Sequence, residues 1–215
     1  MIVSKDVASK VAKYLLDIKA VKLQPSDPFT WSSGILSPIY CDNRKILSAP
    51  SIRTSVVEEI TGVISRQFTG VDAIVGVATG GIAIGALVAA KLDLPFAYVR
   101  AKVKEHGMKN AIEGELNDDQ SVVVIEDLIS TGGSSLAVVD TLREEDIVVM
   151  GMVAIFTYDF HEATLNFKSQ GCKLYTLTNY DTLVNEALQM NYINEGDLEM
   201  LEKWRSDPKS MVASS

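Results

Sequence analysis

An acidic pair and a run of small polar residues follow the clearest strand pattern of this chain. Glu126 and Asp127 come directly after residues 121–125 (SVVVI), and the run STGGSS begins at Ser130. Glycines leave backbone N–H groups accessible and a helix N-terminus adds partial positive charge, so such a run can hold a phosphate. Ionised carboxylates accept hydrogen bonds, which suits the hydroxyl groups of a sugar. The pattern predicts a sugar-phosphate site, and the alternative is a capped helix after a solvated acidic turn.

The polar run has neither of the anchors that nucleotide-binding loops usually carry. It lacks the Lys of a Walker A loop and the G-x-G-x-x-G spacing of a dinucleotide-binding turn, so neutral donors would hold the phosphate. In this order, the strand, the acid pair and the run resemble the phosphoribosyl-pyrophosphate (PRPP) signature of type I phosphoribosyltransferases. The resemblance implies that the acids hold the ribose hydroxyls and that the run holds the 5-phosphate. The PRPP contacts implied here are Glu126, Asp127, Leu128, Ile129, Ser130, Thr131, Gly132, Gly133 and Ser134, and Asp127 is also implied to be catalytic.

Helical and strand patterns alternate along the chain from about residue 50 onward. Short apolar runs predict strands at residues 71–78, 95–100, 121–125, 147–157 and 172–176. Further patterns predict helices at residues 50–67, 81–92, 132–144, 161–169, 182–190 and 195–205. This alternation is typical of an α/β fold, in which a parallel β-sheet is flanked by helices. In such sheets ligands bind beyond the carboxyl ends of the strands, which is where the acid pair and the polar run are expected.

The residues before position 50 do not follow this alternation. Residues 1–20 show an amphipathic helical pattern with Lys and Asp throughout. We expect the N-terminal segment and the C-terminal helices to build a small hood over the sheet edge. The length fits one sizeable domain or a domain with a small appendage. The resemblance implies a single phosphoribosyltransferase domain over residues 1–215, with its core at about residues 50–180.

The composition argues against several classes of protein. The 215 residues include 28 acidic and 20 basic side chains, a net charge of -8 that argues against nonspecific nucleic-acid binding. No stretch approaches the roughly 18 apolar residues of a membrane span, and the N-terminal pattern lacks the apolar core of a signal peptide. Cys41 and Cys172 show no metal-ligand spacing, and we interpret them as buried or half-buried thiols of a cytoplasmic protein.

An early segment resembles the orotate phosphoribosyltransferases in particular. It comprises residues 29–34 (FTWSSG) and residues 37–44 (SPIYCDNR). Its aromatics, hydroxyls and one Arg would suit a flat polar heterocycle, although the composition describes a surface hairpin equally well. In that family the segment lies over the pyrimidine, so the resemblance implies that Tyr40 and Cys41, together with Ser130, bind orotate.

A charged segment follows another predicted strand. Residues 98–107 (YVRAKVKEHG) lead into a stretch without a clear core pattern, and long irregular loops of this kind are typical of lids. A solvated charged loop is the alternative, and His161 has no comparable context and is expected on the surface. The resemblance implies that Arg100, Lys104 and His106 contact PRPP and that Lys104 is catalytic, either as an acid or as a charge. It also implies that the loop reaches the neighbouring active site of a homodimer.

A fourth segment, residues 76–81 (GVATGG), follows a predicted strand and resembles the pyrophosphate loop of the same family. The resemblance implies a cis peptide near Ala78 and backbone amides that meet the diphosphate. The implied loop residues are Ala78, Thr79, Gly80 and Gly81. From the residues alone, a tight strand-to-helix turn fits equally well.

Several cationic positions of the family are absent from this chain. Ser32, Ala101 and Gly80 stand where many relatives have Lys, although Lys102 is a candidate replacement for one of them. Tyr158 stands near the position of an Arg that meets the orotate carboxylate in some relatives. The sequence therefore leaves the partner of that carboxylate open.

The resemblance implies transfer of ribose 5-phosphate from PRPP to N1 of orotate, which gives orotidine 5′-monophosphate and pyrophosphate in de novo UMP biosynthesis. It also implies Mg²⁺, held mostly by substrate and water rather than by dedicated protein ligands. Two other interpretations fit the polar run: a phosphoribosyltransferase that acts on a purine base, and a non-catalytic regulator that senses PRPP. The early segment argues against a purine base, and the lack of a basic patch argues against the regulator.

Overall fold

The computed structural model describes residues 2–30, 36–100 and 111–208 and has a six-stranded central sheet with helices on both faces. The strands are β1 (Val21–Leu23), β2 (Phe29–Thr30), β3 (Leu36–Ser37), β4 (Ile39–Cys41), β5 (Ala73–Val77), β6 (Phe96–Val99), β7 (Ile112–Glu113), β8 (Ser121–Ile129), β9 (Val148–Thr157) and β10 (Leu174–Asn179). The α-helices are α1 (Lys5–Asp17), α2 (Pro50–Gln67), α3 (Gly80–Leu92), α4 (Gly133–Glu144), α5 (His161–Ser169), α6 (Tyr180–Gln189) and α7 (Leu198–Ser206). Two 3-10 helices cover Asn43–Ser48 and Glu195–Asp197.

The central sheet has the strand order β10-β9-β8-β5-β6-β7. Its strands run parallel except for β7, which pairs with β6 in the antiparallel direction. The predicted α/β fold with a parallel sheet and flanking helices is therefore confirmed. The sequence pattern missed β7, because a strand of two residues is too short to show a period, and Ile112 is its single apolar residue.

Alternate residues of the central strands face opposite layers of the core. In β8, Val123 and Ile125 belong to one apolar cluster, whereas Val122 and Val124 belong to the other. Helices α1, α2, α3, α6 and α7 contribute to the first cluster, and α4 and α5 contribute to the second. Because both faces of the sheet are covered, its central strands have continuous apolar sequences rather than an alternation with polar residues.

The N-terminal segment and the C-terminal helices form the predicted hood. Helix α1 packs against α6 and the edge strand β10, and β1 pairs with β4 in an antiparallel ladder. Trp204 of α7 is fully buried, and its ring lies 5.7 Å from the rings of Tyr158 and Phe160. Since these groups share one apolar cluster with a face of the sheet, the hood packs directly on the sheet.

The solvent exposure of the two cysteines and of His161 is as predicted from the sequence. Cys41 is half-buried and Cys172 is buried, and neither forms a disulfide. His161 is exposed at the start of α5. In the ranges that the structure describes, no helix is both long and apolar enough to cross a membrane.

Candidate active site

A cavity of about 310 Å³ opens at the carboxyl ends of β5 and β8, where ligands bind in parallel sheets. The lining residues are Val77, Ala78, Thr79, Gly80, Glu126, Asp127, Leu128, Ser130, Thr131, Gly132 and Ser134. Two of the predicted PRPP contacts, Ile129 and Gly133, do not line the cavity, and the Ile129 side chain is fully buried in the core. The fold thus brings most of the polar run and the predicted pyrophosphate loop to one cavity.

The acid pair lies within β8 and not in the turn after it, where the sequence pattern placed it. Strand β8 extends to Ile129 because β9 continues alongside it, with Glu126 opposite Ala154. Its pairing with β5 ends earlier, at Gly76 and Ile125. The end of β8 therefore has a neighbouring strand on one side only, and the open side forms the cavity.

Two glycines allow the turn after β5 to approach β8 closely. A Cβ atom at Gly81 would overlap the carbonyl oxygen of Ile125, and a Cβ atom at Gly80 would overlap the carboxylate of Asp127. A larger residue at either position would have to displace β8 or its acid. The peptide bond between Ala78 and Thr79 is cis, as the family resemblance implies.

The two acids have different surroundings. Glu126 is 6% exposed, and its carboxylate accepts hydrogen bonds from Oγ of Ser135 at 2.8 Å and from the backbone N–H of Asp127 at 2.9 Å. Burial raises the pKa of Glu126 to about 8, and the charge of Asp127 and a side-chain hydrogen bond to it act in the same direction. Asp127 is half-buried and lines the cavity. Glu126 therefore keeps its proton near neutral pH, and we infer that Asp127 is the acid available to a ligand.

The polar run leads into the first turn of α4. Gly132 precedes the helix with φ +83°, and a Cβ atom there would lie 2.7 Å from Cε2 of Phe167. The side-chain amide of Asn166 donates a hydrogen bond to the carbonyl oxygen of Thr131 at 3.0 Å. The first N–H groups of a helix have no intrahelical partner, so this end of α4, with the hydroxyls before it, can bind a phosphate.

The predicted base-binding segment packs against the acid pair through Asn43. This residue is 2% exposed, and its side-chain amide donates a hydrogen bond to the carbonyl oxygen of Asp127 at 2.7 Å. The thiol of Cys41 donates to Oδ1 of Asn43 at 3.2 Å. Burial raises the pKa of the Cys41 thiol well above its usual value, and the charges of Asp127 and Asp42 add to this effect. The thiol therefore stays protonated and remains a donor.

Tyr40 and Phe29 form an aromatic pair in the same segment. Their ring centroids lie 5.6 Å apart, and Tyr40 is 42% exposed. An exposed aromatic pair of this kind is suited to contact with a flat ring. Residues 31–35 of the predicted segment lie outside the described residues.

Among the residues that the structure describes, those that line the cavity include two acids and no Lys or Arg. Arg100 follows β6, but its guanidinium pairs with Glu113 at 2.8 Å and is not part of the lining. The other predicted lid contacts, Lys104 and His106, lie outside the described residues. Within the ranges described, the cavity thus offers backbone and hydroxyl donors rather than cations.

Tyr158 stands near the position where some relatives have an Arg, and it belongs to the aromatic core. It is 3% exposed, and its ring stacks on that of Phe160 at 5.3 Å. Burial raises the pKa of its hydroxyl well above the usual value, so Tyr158 is neutral and cannot balance a substrate carboxylate. Arg44 is an exposed cation that pairs with Asp42 at 2.6 Å, and this pair, with a smaller contribution from the charge of Asp127, raises the pKa of its guanidinium.

Three side chains that shape the site received no individual role from the sequence. Asn43 and Ser135 stand next to predicted contacts, but only the folded chain gives Asn43 its distant partner Asp127 and brings Ser135 of α4 against Glu126 of β8. Asn166 lies in a predicted helix, and no pattern in the sequence distinguishes it from other polar helix residues.

Comparison with known proteins identifies the family. Residues 45–182 match the phosphoribosyl transferase domain family. The orotate phosphoribosyltransferase of Phocaeicola vulgatus is 55% identical over 204 residues, which cover 95% of this chain and 96% of that protein. The orotate phosphoribosyltransferase of Porphyromonas gingivalis is 52% identical over 206 residues, which cover 96% of this chain and 98% of that protein.

Solved structures agree with this result. The crystal structure of orotate phosphoribosyltransferase from Aeropyrum pernix is 27% identical, with a TM-score of 0.74 over 86% of this chain and 99% of that chain. The structure of Leishmania donovani UMP synthase is 25% identical, with a TM-score of 0.78 over 94% of this chain and 42% of that chain. Since relatives above half identity match nearly the whole length, the chain belongs to the orotate phosphoribosyltransferase family.

Proposed function

We propose that this protein is an enzyme that transfers the 5-phosphoribosyl group of PRPP to N1 of orotate. The products are orotidine 5′-monophosphate and pyrophosphate, and the reaction belongs to de novo UMP biosynthesis. The observation that carries the proposal is one cavity, in which the acid pair of β8 and the polar run after this strand face the glycine turn after β5. Membership of the orotate phosphoribosyltransferase family supports the same reaction.

In this proposal Asp127 is the acid that holds the ribose hydroxyls. Its carboxylate lines the cavity, whereas both oxygens of Glu126 already accept hydrogen bonds within the chain. Glu126 therefore acts mainly by holding the backbone of its neighbour. The 5-phosphate is held by backbone N–H groups and hydroxyls between Ser130 and Ser134, next to the partial positive charge at the start of α4.

Breaking the bond between C1 of the ribose and the pyrophosphate builds positive charge on the ribose ring and negative charge on the leaving group. N1 of orotate is the nucleophile, so the protein contributes placement and electrostatic stabilisation rather than a covalent intermediate. The backbone between Ala78 and Gly81 is proposed to hold the pyrophosphate. Arg100, Lys104 and His106 are proposed to close over it, with Lys104 balancing its charge or donating a proton.

Tyr40, Cys41 and Ser130 are the proposed orotate contacts. The hydrogen-bond chain from Cys41 through Asn43 to Asp127 supports this assignment, because it keeps the early segment against the ribose site. Ser130 lines the cavity at the end of β8. An exposed aromatic ring at Tyr40 is available to lie against the pyrimidine.

The donor set of the cavity fits a Mg²⁺ ion that arrives with PRPP. Among the residues that the structure describes, no group of three or more His, Cys, Asp or Glu side chains is placed to hold a metal ion. Asp127 would be its protein partner, with substrate oxygens and water as the remaining ligands, as Mg²⁺ prefers. When bound, the ion would neutralise charge on the pyrophosphate.

A homodimer with shared active sites is proposed from the family resemblance, and mixing two impaired variants tests it. At limiting PRPP, Lys104→Ala and Asp127→Asn would each strongly lower the activity of a site, but from different subunits. A refolded equal mixture should regain about a quarter of the unmodified activity, because half of the dimers are hybrids with one intact site each. Absence of any regained activity would contradict the shared site. The cytoplasmic location stays a prediction from the sequence.

The decay of orotate absorbance tests the proposed reaction directly. The absorbance should fall only when PRPP and Mg²⁺ are both present, and many orotate molecules should be consumed per protein molecule. Adenine, guanine and hypoxanthine serve as competing bases in parallel assays. Faster consumption of a purine would refute the base assignment, and PRPP binding without turnover of any base would refute the enzymatic proposal.

A further inference from the structure

Asn43 joins the early segment to the acid pair through one buried amide. Its Oδ1 accepts from the thiol of Cys41 at 3.2 Å, and its Nδ2 donates to the carbonyl oxygen of Asp127 at 2.7 Å. At 2% exposure the amide is shielded from water, which would otherwise compete for these bonds. The amide uses its acceptor toward one segment and its donor toward the other, so its orientation is determined.

A second amide holds the turn after β8 from the opposite layer. Nδ2 of Asn166 donates to the carbonyl oxygen of Thr131 at 3.0 Å. Asn166 lies on α5, which contributes to the second apolar cluster. The 3-10 helix that begins at Asn43 packs into the first apolar cluster, on the opposite face of the sheet. Both amides stabilise the end of β8, but Asn43 also connects it to the early segment.

We propose that Asn43 is a positioning residue that couples the base site to the ribose 5-phosphate site. The inference rests on the proposed function, in which Cys41 contacts the base and Asp127 holds the ribose. A ligand that occupies both sites gains affinity from both only if the base site and the ribose 5-phosphate site keep a fixed relative position. Without Asn43, each half of the site is expected to keep its own contacts, while their alignment is lost.

The replacement Asn43→Ala tests the coupling with three ligands that differ in which of the two sites they occupy. Orotidine 5′-monophosphate spans both sites, whereas ribose 5-phosphate and orotate each occupy one. Loss of a buried hydrogen bond should raise the Kd of orotidine 5′-monophosphate by about 10-fold or more. The Kd values of the two partial ligands should change by less than about 3-fold. Isothermal titration calorimetry measures all three with the full-length protein.

Asn166→Ala is the matched control, because it removes the corresponding amide bond without touching the early segment. It should weaken ribose 5-phosphate and orotidine 5′-monophosphate by the same factor. Asn43→Leu keeps the branched shape of the side chain and lacks the amide, so it replaces Asn43→Ala if thermal denaturation shows that the smaller side chain destabilises the protein.

Two results would overturn the coupling. One is an equal loss of affinity for ribose 5-phosphate and orotidine 5′-monophosphate in both Asn43 variants, and the other is unchanged affinity for the spanning ligand. Failure of the unmodified protein to bind orotidine 5′-monophosphate would refute the proposed function itself, and the inference with it.

Discussion

Replacing Glu126 by Gln should remove a pH-dependent loss of stability, because this carboxyl group is buried beside a second acid. The pKa of Glu126 rises from 4.5 to about 8 in the folded chain, first through burial and then through Asp127. Its two oxygens accept hydrogen bonds from Ser135 and from the backbone of Asp127, and the side chain is 6% exposed. Gln has nearly the same shape and cannot ionise.

The sign of the effect follows from the number of protons that each state binds. Above its usual pKa an unfolded Glu126 has lost its proton, whereas the folded chain retains it until about pH 8. The folded state therefore binds more protons in this window, and its stability falls as the pH rises from about 4.5 to about 8. Since a tenfold change in an ionisation constant is about 1.4 kcal/mol, the total loss is on the order of 5 kcal/mol.

Urea denaturation of the unmodified protein and of Glu126→Gln, at several values between about pH 5 and pH 9, measures this loss. The free energy of unfolding of the unmodified protein should fall relative to the variant across this range. Asp127→Asn removes the neighbouring charge but keeps the burial, so in that background the fall should be smaller. A difference between unmodified protein and Glu126→Gln that stays constant over the whole range would refute the reasoning.

Three further predictions concern binding, turnover and stability. Asp127→Asn should raise the Kd of PRPP by about 10- to 100-fold and affect orotate less, because a charge-assisted hydrogen bond to ribose is lost. Equal losses in calorimetry would count against the ribose assignment. Lys104→Ala should lower kcat by about 10²- to 10³-fold while the far-UV circular dichroism spectrum stays the same. A near-normal turnover number in steady-state kinetics would reject its role. Gly171→Ala should cost about 1–2 kcal/mol in unfolding free energy, because φ is +58° and the space around it is open. Gly132→Ala should cost about 1–3 kcal/mol more in the same denaturation experiment, because its Cβ would also meet Phe167. Equal costs for the two glycine variants would show that the contact with Phe167 is relieved without strain.

The regular elements and the composition of the site could be predicted from local patterns. Helix α5 begins at His161 and ends at Ser169, as its pattern indicates, and the acid pair and most of the polar run line the cavity. Periodicity and glycine placement are properties of neighbouring residues, so a single sequence carries them. The two-residue strand β7 is too short to produce such a signal.

The tertiary structure decided how the acids of the site differ. From the sequence, Glu126 and Asp127 are two equivalent carboxylates in a turn. In the fold they lie at the end of β8, beyond its last pair with β5, and both line the cavity. Both oxygens of Glu126 accept hydrogen bonds within the chain. The proton on Glu126 depends first on its burial in the folded chain, which no local pattern describes.

The same reason explains why the sequence determined the chemistry of this protein and not the alignment of its parts. Residue types and their spacing are sufficient to predict a phosphate run and a pair of acids. The hydrogen bond from Asn43 to Asp127 joins residues 84 positions apart, and the bond from Asn166 to Thr131 crosses to another layer. Such contacts exist only after the layers have packed, so the tertiary structure alone establishes them.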